Sequence, residues 1–155
     1  MTSWILGIMA LLLLLTACTS AVSKQQPSGT GLDHKRLRPC PSSPNCVCSE
    51  FTGRASFIAP VSFTESPESA WSKATATVQE MGGTMLTVDS DYLHAVFTSR
   101  IFRFKDDLEL RMDRENRIIH LRSASRTGYS DFGVNRKRAE QFRNFFTAER
   151  YDEIK

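Results

Sequence analysis

Apolar and polar positions divide the 155-residue chain into three stretches. Apolar residues run unbroken from Trp4 to Leu15, and a polar stretch from Thr19 to Arg38 follows, centred on Gln25-Gln26-Pro27-Ser28-Gly29. That second stretch has neither a helical nor a strand period, so it predicts a tether and not an element. Regular periods begin beyond Pro39. Ser66-Pro67-Glu68 supplies a cap, a proline at the first helical position and an acid in the first turn. Trp71, Ala74, Val78 and Met81 then recur at helical spacing until Gly82-Gly83 ends the run. Four strand-like segments follow, Thr84 to Asp89, Tyr92 to Ser99, Phe102 to Met112 and Arg117 to Ser125, divided by short polar turns. A closing helix is predicted from about Asn135 to Arg150, with Ala139, Phe142, Phe145, Phe146 and Glu149 along its stripe.

Short connections favour an antiparallel meander, and two amphipathic helices should cover one face of it. The expectation is a single α+β domain over residues 39–155, with four strands, a helix on the N-terminal side and a C-terminal helix on the same face. A two-residue turn at Arg114-Glu115 sets Leu110 against Ile119 and Leu108 against Leu121. This register puts Asp106 opposite Ser123 on the apolar face and Asp107 opposite Arg122 on the other; a one-residue slip would drive Arg122 and His120 among phenylalanines. His94 and His120 then fall on the outward face, where a surface histidine is expected.

The apolar run is well short of the roughly 20 residues that cross a bilayer. It ends in Leu15-Thr16-Ala17-Cys18, which resembles the lipobox of a bacterial lipoprotein signal peptide, although Met1-Thr2-Ser3 lacks Lys and Arg. The resemblance implies a signal over residues 1–17, acylation of Cys18, and a tether over 18–38. It further implies a cell-envelope address; Thr19, where an Asp would signal inner-membrane retention, favours the periplasmic face of the outer membrane.

The formal net charge of +3 is too mild to imply nucleic acid, and export argues against that partner. With Cys18 assigned to lipid, Cys40, Cys46 and Cys48 remain. An oxidising envelope favours a disulfide. Three pairings are open; Cys40 with Cys46 closes a small loop that Pro41 and Pro44 pre-bend, which would leave Cys48 a spare thiol. A metal site joining these sulfurs to His34 lacks Cys-x-x-Cys or His-x-x-x-His spacing, and neither metal nor cofactor is expected.

Candidate chemistry gathers between Arg122 and Arg138. Asp106 interrupts an apolar stripe and must be hydrogen-bonded, ion-paired or at a pocket edge. Asn135 is placed to cap the last helix, which would set Arg136, Lys137 and Arg138 in its first turn, where the helix dipole disfavours cations. Asp131 or an external anion should offset them. The candidate ligand-binding residues are therefore Asp106, Asp107, Arg122, Ser123, Ser125, Arg126, Asp131, Asn135 and Arg136, arranged either as a pocket or as a salt-bridged corner.

Three motifs also carry a family resemblance: Cys40-Pro41-Ser42-Ser43-Pro44-Asn45-Cys46-Val47, Asp106-Asp107-Leu108-Glu109, and Arg122-Ser123-Ala124-Ser125-Arg126 continuing through Gly128, Ser130-Asp131, Gly133-Val134-Asn135-Arg136 and Arg138. In this order they resemble the family catalogued as domain of unknown function 1499, over about Pro39 to Phe146. The resemblance implies a shared fold, a shared polar corner and a cysteine pair at Cys40 and Cys46; it implies no reaction. Two functions are weighed. One is a non-catalytic, membrane-tethered module that binds an anionic small molecule, glycan, lipid headgroup or acidic protein patch through Arg122, Arg126 and Arg136. The other is a hydrolase or transferase using Asp106 or Asp107 with Ser123, Ser125 or His120. No Gly-x-Ser-x-Gly turn, His-Glu-x-x-His helix, P-loop or dinucleotide glycine pattern supports the enzyme.

Overall fold

A computed structural model describes residues 29–148. The signal, Cys18, most of the tether and the stretch from Glu149 to the end lie outside the described residues. In chain order the elements are β1 (Leu32–Asp33), β2 (Arg36–Leu37), β3 (Cys46–Cys48), β4 (Val61–Ser62), α1 (Pro67–Glu80), β5 (Thr84–Val88), β6 (Tyr92–Thr98), β7 (Lys105–Asp113), β8 (Ile118–Ser125) and α2 (Val134–Thr147). Strands β5 to β8 form the antiparallel meander expected from the sequence. The sheet has six strands, however, because β3 and β4 both pair along the outer edge of β8. Those two strands are three and two residues long, too short to show a period in sequence. The same short pairing hides the β1–β2 hairpin inside what the sequence reads as tether.

The helix starts as expected: Ser66 Oγ accepts the amide of Ser69, and Pro67 opens α1. Its buried Trp71, Ala74 and Val78 meet Ala139, Phe142 and Phe146 of α2 above the sheet residues Leu93, Leu108, Leu110 and Leu121. Both helices thus cover one face. Phe145 of the expected stripe is partly exposed.

The β7–β8 register departs from expectation by two residues. Four residues, Arg114 to Arg117, make the turn, so Leu110 faces Leu121 and Leu108 faces Ser123. Asp106 therefore lies opposite Ser125, Asp107 opposite Ala124, and Glu109 opposite Arg122. A shift of two preserves which side chain faces the core, and apolar alternation alone does not distinguish the two registers. The turn is fixed by Asp113 Oδ1, which accepts the amide of Asn116 at 3.0 Å. The third strand also begins later than expected, at Lys105, leaving Phe102 and Phe104 exposed on the β6–β7 hairpin.

The second sheet face is not open to water. Residues 29–40 lie across it as a strap, with Leu37 fully buried beside Cys40, Cys46, Cys48 and Ala124. This cover corrects the surface assignment of His94, which is buried, and leaves His120 only partly exposed. Cys40 and Cys46 are disulfide-bonded, while Cys48 is a free, buried thiol whose pKa burial pushes up.

Candidate functional site

Alternation along β7 and β8 distributes the sequence-predicted residues over both faces of the sheet. On the helix face, Asn135 is the hub. Its Nδ2 donates to Asn45 O at 2.9 Å, Ser125 Oγ at 2.9 Å and Asp131 Oδ2 at 2.7 Å. Its Oδ1 accepts from Ser123 Oγ at 2.6 Å and Arg138 Nη1 at 2.8 Å. Arg138 reaches on to Asp106 Oδ2 at 2.8 Å. Asp106, Ser123, Ser125, Asp131 and Asn135 are thereby brought together, with Asn45 and Arg138 as members that the candidate set lacks.

Asn135 is not the cap of α2. Gly133 occupies that position with φ +80°, and Asp131 caps from two residues earlier. Its Oδ1 accepts the Gly133 amide at 2.9 Å and its Oδ2 the Asn135 amide at 2.8 Å. Burial raises the Asp131 pKa, but these donors outweigh it and hold the carboxyl below its ordinary range. Asp131 is thus the internal anion that the basic first turn required.

On the strap face, three carboxylates are each gripped by several donors. Asp107 accepts from His94 Nε2 at 2.7 Å and from the Arg126 fork, with Nη2 at 2.8 Å. Glu109 accepts from Arg122 Nη1 at 2.8 Å, Tyr92 Oη at 2.7 Å and the Gly31 amide at 2.6 Å. Glu50 accepts from Arg36 Nε at 2.8 Å, Arg111 Nε at 2.7 Å and the Leu37 amide at 3.2 Å. Burial raises the pKa of Glu50 and Asp107, yet their paired cations and hydrogen bonds leave both below the usual carboxylate range. Burial, with the neighbouring Glu109 charge, pushes the Tyr92 phenol far up, so it remains a donor. Arg122 is buried, and its Nε has no hydrogen-bond partner among the described residues.

Arg122, Arg126 and Arg136 consequently do not converge on one point. The first two are neutralised by Glu109 and Asp107 beneath the strap. Arg136 is different: its guanidinium donates to the carbonyls of Ala55 at 2.9 Å and Phe57 at 3.2 Å, and no carboxylate among the described residues pairs with it. It lines a cavity of about 470 Å³ that lies between the disulfide loop and the start of α2. Arg54, Ser42, Ser43, Ser56 and Asp131 line the same cavity. The volume suits a small ligand.

Among the described residues there is a nucleophile–base contact that the sequence did not reveal. Ser49 Oγ lies 3.0 Å from His120 Nδ1, but it also accepts the Leu121 amide at 2.9 Å, and Ser49 is buried. Ser49 donates its own amide to Leu121 O, so its side chain extends the β3–β8 ladder. Neither residue lines the cavity. Ser123 is likewise fully buried and donates to Asn135. Among the described residues no helix is long and apolar enough to cross a membrane.

The family model described as "Protein of unknown function (DUF1499)" matches residues 36–146, more than half of the chain. No curated protein and no solved structure matches it.

Proposed function

The chain belongs to the DUF1499 family of proteins of unknown function, and from that premise we propose a bacterial cell-envelope lipoprotein whose domain is a non-catalytic module for a small anionic ligand. Cys18 is the acylation site, and the outer membrane's periplasmic face is the address. The ligand, a carboxylate or phosphate on a small molecule or glycan, occupies the cavity lined by Arg54 and Arg136.

One observation carries the binding assignment: of the three arginines singled out in the sequence, Arg136 alone has no carboxylate partner, and it lines a concavity. Backbone carbonyls fix its guanidinium without cancelling its charge, so it is oriented and electrostatically available. Arg54, also without a paired carboxylate among the described residues, adds a second cation, and three serine hydroxyls add neutral partners. Asp131 fills the amides at the start of α2 and disfavours a ligand bound there, which directs an anion toward the two guanidinium groups. Against hydrolysis by Asp106 or Asp107 with Ser123 or Ser125 stand the burial of Ser123 and the separation of Asp107 by the sheet.

Titration calorimetry of the purified chain with inorganic phosphate and with succinate tests the cavity. The expected result is saturable binding of at least one, lost in Arg54→Ala/Arg136→Ala at unchanged melting temperature. Binding unaltered in that double variant would reject this location. Membrane fractionation of Cys18→Ser tests the anchor; retention equal to wild type would reject acylation as the mooring.

A further inference from the structure

Two loops converge on one end of the sheet. The β6–β7 hairpin, residues 99–104, leaves from the end of β6, and residues 126–133 leave from the end of β8. The Arg126 amide donates to Lys105 O at 3.0 Å, which ties the bases of the two loops together. Both carry apolar side chains in water: Ile101 is 82% exposed, Phe102 72% and Phe132 91%. Phe104 and Tyr129 are also exposed, and Phe102 and Phe104 stack with ring centroids 5.6 Å apart.

Such exposure is unusual for phenylalanine and marks an interaction surface when the residues are grouped. Cations alternate with these apolar groups: Arg100 and Arg103 on the hairpin, Lys105 at the start of β7, and Lys137 in the first turn of α2. None of these four has a carboxylate partner among the described residues. The backbone is held in an uncommon form at both loops, with left-handed φ at Arg103 (+57°) and Phe132 (+53°). Bulky residues keep that conformation at a cost, which here accompanies the presentation of an aromatic ring to solvent.

We propose that this end of the domain inserts its apolar tips into the interface of an anionic phospholipid bilayer, with the interleaved cations on the headgroups. Aromatic rings beside lysine and arginine are the side chains that settle at such an interface. Apolar side chains carried on two exposed loops and not gathered in a buried cleft suit a soft planar partner. The chain's own route agrees. Gly29, where the described chain begins, lines a cavity with Ser125 at this same end of β8. From Cys18 to Gly29 are eleven residue steps, a reach of at most roughly 36–40 Å. The inference takes from the lipoprotein reading only that a bilayer lies within reach, and it does not depend on the anion cavity.

Amide hydrogen exchange of the full chain, with and without vesicles of phosphatidylglycerol or phosphatidylcholine, tests this directly. The expected result is at least tenfold slower exchange in residues 99–104 and 127–133 with phosphatidylglycerol, and much less slowing with phosphatidylcholine. Replacing Arg103 or Lys105 by Gln should each lower affinity for anionic vesicles about fivefold. Phe102→Ser/Phe132→Ser should abolish the slowing at unchanged melting temperature. Unchanged loop exchange in vesicle-bound protein would overturn the proposal while leaving acylation intact. Slowing produced by a lipid-free envelope extract but not by vesicles would overturn it in favour of a protein partner. Flotation of Cys18→Ser scores the anchor separately.

Discussion

Arg122→Met probes the buried charge lattice that holds the strap to the sheet. In the native domain Arg122 Nη1 lies 2.8 Å from Glu109, whose side chain is fully buried. Removing the guanidinium strands a carboxylate in a low-dielectric site, for which the usual cost is about 3–5 kcal/mol. Two features move the figure toward the lower end. Tyr92 Oη and the Gly31 amide still donate to Glu109, and the substitution also removes the unpartnered Nε, whose burial costs about 1–3 kcal/mol. The expected loss is about 3 kcal/mol, or about 10 °C in melting temperature for a domain of this size. Glu109→Gln alone should cost a similar amount by stranding Arg122. The double variant should recover most of it, because the carboxamide oxygen that Glu109→Gln introduces can accept from both remaining donors with no buried charge left. Urea unfolding of the four proteins closes the cycle. A loss below about 1 kcal/mol for Arg122→Met, or a double variant no more stable than the worse single, would refute a desolvated pair under a closed strap.

Acidification should destabilise the domain in two stages. Burial depresses the pKa of His120, so its contribution is present above the unfolded value of about 6.5 and is lost as pH falls below it. Glu50 and Asp107, held low by their cations, contribute stability above their unfolded values of about 4 and lose it as pH falls further. Melting temperature from pH 7 to 3 reads both stages, His120→Gln should flatten the first, and a level profile would contradict the assignment. Gly83→Ala should cost about 1–3 kcal/mol, since an added Cβ would sit 2.8 Å from Val78 Cγ1 and 3.0 Å from Val78 O; an unchanged thermal melt would show that the approach is not close. Cys40→Ser/Cys46→Ser, which opens a loop of sequence separation 6, should cost about 2 kcal/mol in denaturant. Native Cys48 should resist a water-soluble thiol reagent until the chain unfolds, and immediate labelling would deny its burial.

The meander and both helices were legible because their periods extend over seven or more residues, apart from β5, and because Ser66-Pro67 and Gly82-Gly83 punctuate α1. Strands β1 to β4 were not legible. At two or three residues each they carry no period; β3 and β4 are placed by the distant strand β8, and β1 and β2 pair with each other inside a polar stretch. The same blindness governed the site. Asp107, Glu109, Arg111, His120 and Arg122 alternate with core residues, which is the pattern of a solvated face. Only the strap, whose polar composition reads as tether, turns that face into an interior. The Asn135 hub was half legible: a basic first turn called for an anion, and Asp131 supplies it. Asn45, whose backbone carbonyl accepts from both Asn135 and Ser125, gave no signal beyond its place in the disulfide loop. Arg136 stands out in the sequence as a cation in the first turn of the last helix, but its distinguishing property, a charge with no carboxylate partner among the described residues, is a tertiary fact.

Native mass spectrometry of the chain purified from its host envelope, compared with Arg54→Ala/Arg136→Ala, addresses the central assignment most directly. A discrete adduct of an acidic small molecule is expected on the wild type and its loss from the variant, both spectra retaining the folded charge-state distribution. An adduct-free wild type under conditions that preserve weak complexes, or the same adduct on both proteins, would contradict it.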